Sequence, residues 1–463
     1  MNRWQARRVL AAFLLGAVFL ACSDATEGGA PSGQATSPAD ARASLEDAAA
    51  PPGRVLVIGV DGASLRLVKQ LMGERRLPNL AAILRAGGSG VSRPMPPLLS
   101  PRIWTSVATG KLPSNHGVEG WVRITDDGTP YLYSSRDRRA RALWNIASAA
   151  GMRVGVVNWL MTHPPEVVNG VIVSDHAAEG MQDEKLEMAN RFAQNMKGAK
   201  GEAKLAEGEE VSFVSPPEFR DQLERARNGG PLSDTPNPFV DRELWPDGGL
   251  SDFFRRVVAN DEFATRVALE IEAELRPELM MVYLPGIDRL SHFLWVGVEP
   301  PEAIPEHLRW PQHIMDKHGH ALKSYYEFVD ALIGRLVAGR GPNDLVMVMS
   351  DHGFETNVSG EQARGAHDSL AARDGILILR GKGVPVGRRN LVFRMTDMAP
   401  TLLSWLGLPP ALDMDGKPTR WMSVDVPDAV ASYDDIPIEH LGTSSPDVDS
   451  RIIENLKELG YVE

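Results

Sequence analysis

Arg54-Val-Leu-Val-Ile-Gly-Val60, followed at once by Asp61-Gly62, is the stretch on which the fold turns. Its apolar, largely β-branched residues show no polar alternation, the mark of a strand covered on both faces. Such a strand belongs inside a parallel sheet. A carboxylate directly after it projects from the sheet's carboxyl edge, where open α/β sheets bind their ligands. A helical segment follows, with Leu65, Leu67, Val68 and Leu71 apolar.

Working outward, similar strand runs stand at Val154 to Val157, Val171 to Val173, Met280 to Leu284, Leu345 to Met349, Ile376 to Leu379 and Leu391 to Phe393. Helical patterns lie between them at Ala140 to Ala150, Asp261 to Leu275, His320 to Val337 and Asp397 to Leu406. The alternation predicts an α/β fold, a three-layer α/β/α sandwich with a mostly parallel central sheet, over residues 54–463. Two stretches break it. Residues 180–250 are charged and Gly/Pro-rich, with helical fragments at Asp183 to Lys197 and Pro217 to Ala226, and residues 296–319 hold Pro300, Pro301, Pro305 and Pro311. Both read as cap insertions on the ligand-binding edge. The segment Asp449 to Glu463 reads as an amphipathic helix ending at Gly460.

Composition narrows the function. The 463 residues are 43% hydrophobic and 24% charged, an ordinary globular balance. A net charge of -12 argues against nucleic acid as the main partner, because phosphate backbones select basic surfaces. A small phosphorylated substrate stays open, since bound divalent cations supply local positive charge. Ahead of the domain, Arg3, Arg7 and Arg8 precede the apolar run Val9 to Leu20, which is short for a membrane span and has a secretory signal's shape. The run ends in Phe19-Leu20-Ala21-Cys22, similar to the bacterial lipoprotein box despite Phe19 where leucine is usual. Cys22 is the only cysteine, so no internal disulfide forms, and residues 1–22 are expected to be a lipoprotein signal with Cys22 the lipidated residue. Ser23 after it leans toward the outer membrane of a bacterial envelope. Residues 23–53 lack apolar periodicity and read as a flexible tether with a reach of about 30 Å.

Several chemistry-bearing residues sit where that edge should be. Asp61 follows the first strand, and in isolation it is an ordinary helix N-cap. Ser100 opens Ser-Pro-Arg-Ile-Trp-Thr-Ser-Val-Ala-Thr-Gly110, which reads as a helix with Pro101 at its first position. A serine there caps the helix on the plain reading. On the functional one, the helix dipole and a metal favour its alkoxide as a nucleophile. Asp288 and His292, four apart, share one helix face after the Met280 to Leu284 run, a pairing that suits zinc. Asp351-His352-Gly353 leaves the end of the Leu345 to Met349 strand, and His367 stands in a Gly-Ala-His-Asp loop. Together the six make two sets of three ligands, able to hold two metals across an in-line displacement at phosphorus.

At this point the chain resembles the alkaline phosphatase superfamily, in its type I phosphodiesterase/nucleotide pyrophosphatase branch. The matching motifs are Val-Ile-Gly-Val-Asp61-Gly, Ser100 ten residues before Gly110, Leu112-Pro-Ser-Asn-His116-Gly and Tyr283-Leu-Pro-Gly-Ile-Asp288-Arg-Leu-Ser-His292. They continue with Ser350-Asp351-His352-Gly353, Gly365-Ala-His367 and Thr396-Asp-Met-Ala-Pro-Thr-Leu-Leu. The resemblance, over about residues 54–420, implies one Zn2+ on Asp288, His292 and His367 and another on Asp61, Asp351 and His352. Ser100 is then the nucleophile, and water releases the phosphoseryl enzyme in a second displacement. Nucleotide pyrophosphatases carry threonine at that place and an asparagine some residues on; this chain has Ser100 and no asparagine before Asn115. That departure keeps a phosphomonoesterase as the nearest alternative, with a phosphoryl-group transferase acting on envelope lipids or glycans behind it. Sulfatases need proline at the second place and arginine at the fourth after their nucleophile, whereas Pro101 and Arg102 are first and second.

The remaining candidates have plainer readings. Ile103 and Trp104 line either a leaving-group pocket or the core. His313, His318 and His320 lie in the proline-rich insertion without a buried strand, and His116 is expected in a structural turn. Lys111 and Arg102 are exposed helix-end cations or touch a phosphoryl oxygen. Asp397 is expected to support its helix N-terminus, and Asp413 to Gly416 to form a turn.

Overall fold

The computed structural model describes residues 44–45, 50–124, 130–175, 177–180, 212–230, 232 and 235–441. The signal segment with Cys22, most of the tether, the helical fragment Asp183 to Lys197 and the helix expected from Asp449 lie outside the described residues.

Thirteen strands are described. In chain order they are β1 (Val55–Val60), β2 (Gly88–Arg93), β3 (Val122–Ile124), β4 (Pro130–Leu132), β5 (Val154–Val157), β6 (Gly170–Val173), β7 (Val214–Ser215), β8 (Leu279–Leu284), β9 (Leu345–Met349), β10 (Glu355–Ser359), β11 (Gln362–Ala366), β12 (Gly375–Arg380) and β13 (Leu391–Arg394). Nine form one sheet in the order β13-β2-β12-β9-β1-β8-β5-β6-β7, while β10-β11 and β3-β4 are separate hairpin-like pairs. β1 sits at the centre, parallel to β8 on one side and to β9 on the other, with Val55 level with both Leu279 and Leu345. β5 and β6 continue the parallel half, and β13 runs parallel to β2. The antiparallel contacts are β12 with β2 and β9, and β6 with β7. The sheet is mostly parallel, as the apolar runs imply.

Side chains alternate from β1 into two cores. Leu56, Ile58 and Val60 enter one, under the helices Leu65–Gly73, Pro78–Arg85, Gly249–Leu275 and Ala321–Val337. Val55 and Val57 enter the other, under Ser100–Thr109, Leu143–Ala149 and Met398–Trp405. Every residue of β1 is buried, because each face of the sheet has its own helical layer. The result is the three-layer α/β/α architecture. Among the described residues no helix is long and apolar enough to cross a membrane.

The sequence pattern missed β2, β7 and the β3-β4 and β10-β11 pairs. β2 reads Gly-Ser-Gly-Val-Ser-Arg, whose small residues hide a strand. They are small because neighbours press in: a Cβ on Gly90 would lie 1.9 Å from the carbonyl oxygen of Leu391 in β13. The long helix starts at Gly249, twelve residues before the periodicity expected at Asp261, within the predicted insertion. The second insertion contains short 3-10 turns and one helix, Gln312–His318.

Candidate active site

All seven candidates meet at the carboxyl edge of β1, β8 and β9, and all except His292 are fully buried. Asp61 follows β1, held in line by its N–H donating to Leu284 O of β8 at 3.1 Å. Its two oxygens face different partners. Oδ2 accepts from Tyr283 Oη and, at 3.2 Å, from Trp104 Nε1. Oδ1 accepts from Ser100 Oγ at 3.4 Å and lies 3.4 Å from His352 Nε2. One oxygen is thus fixed by the protein frame and the other is turned toward the chemistry.

Ser100 is the first residue of its helix, with Leu99 before it and no side-chain cap bond, so the plain capping role is not what the structure contains. Trp104, one turn on, places its indole on the same side. Trp104 and Ile103 are core residues: Trp104 packs edge-to-face on Trp159 at 5.1 Å and on Tyr283 at 5.3 Å. The apolar leaving-group pocket entertained for them is therefore not formed by these side chains. Tyr283 and Trp104 were not anticipated as holders of Asp61. The four-residue spacing of Ser100 and Trp104 was the available signal for Trp104.

Asp288 and His292 occupy successive turns of the helix Gly286–Leu294, with Oδ2 and Nε2 3.6 Å apart. His367 arrives from the hairpin, its Nε2 3.8 Å from Asp288 Oδ1. What delivers it is close packing: a Cβ on Gly365 would stand 2.1 Å from Ser291 O, so only glycine lets β11 lie on the ligand helix. His352 stacks on His367 at 3.9 Å, and Phe354 packs its edge against His292 and His367. Asp351 accepts from Gly62 N at 3.2 Å through Oδ1, leaving Oδ2 3.3 Å from His352 Nε2.

Among the described residues two groups have ligand atoms within 4.8 Å of one another, Asp288/His292/His367 and Asp61/Asp288/His352. Asp288 belongs to both, and Asp351 stands beside the second. The donor chemistry fits divalent cations. His352 Nδ1 donates to Gly353 O at 3.0 Å, which turns Nε2 toward three carboxylates. Neither His352 Nε2 nor Asp351 Oδ2 makes a hydrogen bond, although both are buried. Buried polar atoms rarely stay so without a reason, and a cation between them supplies one. Burial, and after it the Asp61 carboxylate, pushes Asp351 far above the ordinary range. Burial opposes a charged His352, yet Asp351, Asp61 and Asp288 together lift it above the usual imidazole value. Burial, then the nearby His352, holds His292 down at about 3, and the same two causes hold His367 far down as well. His292 and His367, held neutral beside a surplus of buried carboxylates, are in the state in which imidazoles bind metal.

The other candidates fall out as structure. His116 is fully buried, its Nε2 3.0 Å from Ser106 Oγ and its Nδ1 accepting from Val118 N. Lys111 is not an exposed helix-end cation: it is buried and bonds Asp413 and Asp434 at 2.7 and 2.6 Å. Arg102 faces Glu119 at 3.6 Å. Asp397 precedes its helix without a side-chain cap bond and instead pairs with Arg394 and accepts from Lys417 N. His318 packs on Trp245 at 4.2 Å, and among the described residues the insertion histidines join no ligand group.

Fold and site together define a three-layer α/β/α protein with a buried Asp/His cluster at the carboxyl edge of its sheet. The sequence model of the type I phosphodiesterase / nucleotide pyrophosphatase family matches residues 55–392, and the chain belongs to that family. No curated protein matches the sequence. Similar solved structures include phosphonoacetate hydrolase from Sinorhizobium meliloti 1021 in complex with phosphonoformate, at 14% identity and TM-score 0.38 over 68% of this chain and 59% of that one. Murine ectonucleotide pyrophosphatase / phosphodiesterase 5 is similar at 14% identity and TM-score 0.44, over 80% of this chain and 98% of that one. A 2-O GAG sulfatase gives 14% and 0.45, over 79% and 73%. The match thus spans about three-fifths of the phosphonoacetate hydrolase.

Proposed function

We propose that this chain is a two-metal phosphodiesterase acting on a small phosphorylated substrate through a phosphoseryl intermediate on Ser100. The observation that carries the reading is the sharing of Asp61 Oδ1 by Ser100 Oγ and His352 Nε2, each at 3.4 Å. Asp288, His292 and His367 hold one zinc; Asp61, Asp351 and His352 hold the other. Bound there, the cations supply positive charge to the phosphoryl and leaving oxygens.

The residues do the rest. Tyr283 and Trp104 pin Asp61 Oδ2, so the carboxylate cannot swing and Oδ1 stays beside the serine hydroxyl. In the first displacement Ser100 Oγ passes its proton to Asp61 Oδ1 and bonds phosphorus, the phosphorus–oxygen bond to the leaving group breaks, and the released alkoxide takes up a proton from solvent. In the second, water bonds phosphorus and loses a proton to solvent, the phosphorus–Oγ bond breaks, and Ser100 Oγ takes its proton back from Asp61. The position of Ser100 at a helix N-terminus favours the alkoxide and the anionic phosphoryl group. Cys22 is proposed as the lipid anchor in a bacterial envelope, the acidic tether carrying the domain off the membrane; the residue pattern supports this.

The test is a panel of aryl phosphodiester, aryl phosphomonoester and aryl sulfate substrates with wild type and Ser100→Ala, alongside elemental analysis. Diester turnover that depends on Ser100 and on about two zinc ions per chain is expected. Metal-free protein with unchanged Ser100→Ala turnover overturns the proposal, and preferential monoester turnover makes the chain a phosphomonoesterase.

A further inference from the structure

The helix Gly286–Leu294 carries two of the proposed ligands, Asp288 and His292, and its first residue rests on a buried pair from two other helices. Asp261 lies in Gly249–Leu275 and Tyr325 in Ala321–Val337, and neither has measurable exposure. Tyr325 Oη donates to Asp261 Oδ2 at 2.7 Å, while Asp261 Oδ1 makes no hydrogen bond. A Cβ on Gly286 would stand 2.0 Å from Tyr325 Oη and 2.5 Å from Asp261 Oδ2, so the helix start touches both groups. The carboxyl therefore sits at the end of the helix where backbone N–H groups lack intrahelical partners and the dipole is positive. Burial raises Asp261 to about 7, against the pull of the Tyr325 hydroxyl, Arg289 and the Gly286 N–H toward the charged form.

We infer that Asp261, braced by Tyr325, is a positioning residue of the metal centre: it seats the start of the helix Gly286–Leu294 and thereby places Asp288 and His292 against His367. This rests on those three being metal ligands. A built-in control separates positioning from simple packing. Asp330 uses the same device on the helix Pro78–Arg85, accepting from Asn79 N at 3.0 Å and Leu80 N at 2.8 Å. That helix carries no candidate ligand. Asp330 therefore serves stability alone, whereas Asp261 serves a helix on which ligand geometry depends.

The test is zinc affinity of the full chain, stripped of metal and titrated in competition with a chromophoric chelator, beside thermal unfolding of the metal-free protein. Asp261→Asn keeps the side-chain shape and an acceptor oxygen; it is expected to weaken zinc binding about tenfold or more, in the range seen for groups that orient ligands. Tyr325→Phe weakens it in the same direction by less. Asp330→Asn lowers the unfolding temperature at least as much as Asp261→Asn while keeping wild-type zinc affinity. Wild-type affinity in both Asp261→Asn and Tyr325→Phe overturns the inference, as does an equal loss in Asp330→Asn. Should Asp288→Ala bind zinc as wild type does, the ligand assignment itself fails, an outcome distinct from failure at Asp261 alone.

Discussion

Asp61 and Asp261 are both fully buried aspartates that accept from a tyrosine hydroxyl, yet one lies among imidazoles and the other does not. Around Asp61 stand Ser100, Trp104, Tyr283 and His352, and Asp288 and Asp351 close the cluster. Around Asp261 stand a phenol and the glycine that begins a helix, with the Arg289 charge acting on it. The contrast teaches what makes a buried carboxylate a ligand. Asp261 has a hydroxyl donor on one oxygen, burial draws it toward the neutral form, and such a group organises backbone. Crowded carboxylates with inward-turned imidazole nitrogens stay electrostatically incomplete without a cation, because repulsion among buried charges is barely screened.

The comparison is most strongly exposed by removing chemistry on the Asp61 side. Ser100→Ala is expected to lower diester turnover by on the order of 10⁴ or more, read in steady-state kinetics, as loss of a nucleophile does elsewhere. Asp61→Asn should cost on the order of 10³ in turnover and release zinc to a chelator, whereas Asp261→Asn keeps most of its turnover at saturating zinc. Equal losses at the two aspartates would erase the distinction drawn between them. Tyr283→Phe removes one of the two donors to Asp61 Oδ2 without touching Oδ1 and should lower kcat about tenfold with KM for the ester nearly unchanged. A rise in KM alone would instead place Tyr283 in substrate binding.

The smallest effect expected is on stability and lies at His116. Burial holds its imidazole down at about 3, against an ordinary 6.5 in the unfolded chain. The unfolded state therefore takes up a proton that the folded state refuses as pH falls below 6.5. Its contribution is complete above that pH and falls by about 1.4 kcal/mol per unit toward pH 3. Denaturant unfolding at pH 6.5 and 5.5 should show a shallower loss in His116→Gln than in wild type, and identical slopes would contradict the buried neutral ring.

Legibility followed burial. β1, β5, β8 and β9 stand out in the sequence because a strand covered on both faces must be apolar at every position. β2 does not, since its glycines answer to the approach of β13 rather than to the core. Lys111 shows the same limit: lysine is ordinarily exposed, and only Asp413 and Asp434, some three hundred residues away, make its burial tolerable. Tyr283 looked like one more β-strand aromatic, and its hydroxyl found a role only where β8 lies beside β1.

What the chain determines alone is the list of parts: an α/β alternation, a carboxylate after the central strand, a serine opening a helix, and Asp/His pairs at strand ends. Those are local properties, set by side-chain period and by the residues that terminate strands. The tertiary structure decided the rest: which oxygen of Asp61 faces the serine, that Asp288 is shared by both ligand groups, and that Asp261 seats the helix bearing it. Such relations depend on side chains tens to hundreds of residues apart meeting in a low-dielectric interior. Pairwise distance there, which no spacing in the sequence encodes, sets both charge state and orientation.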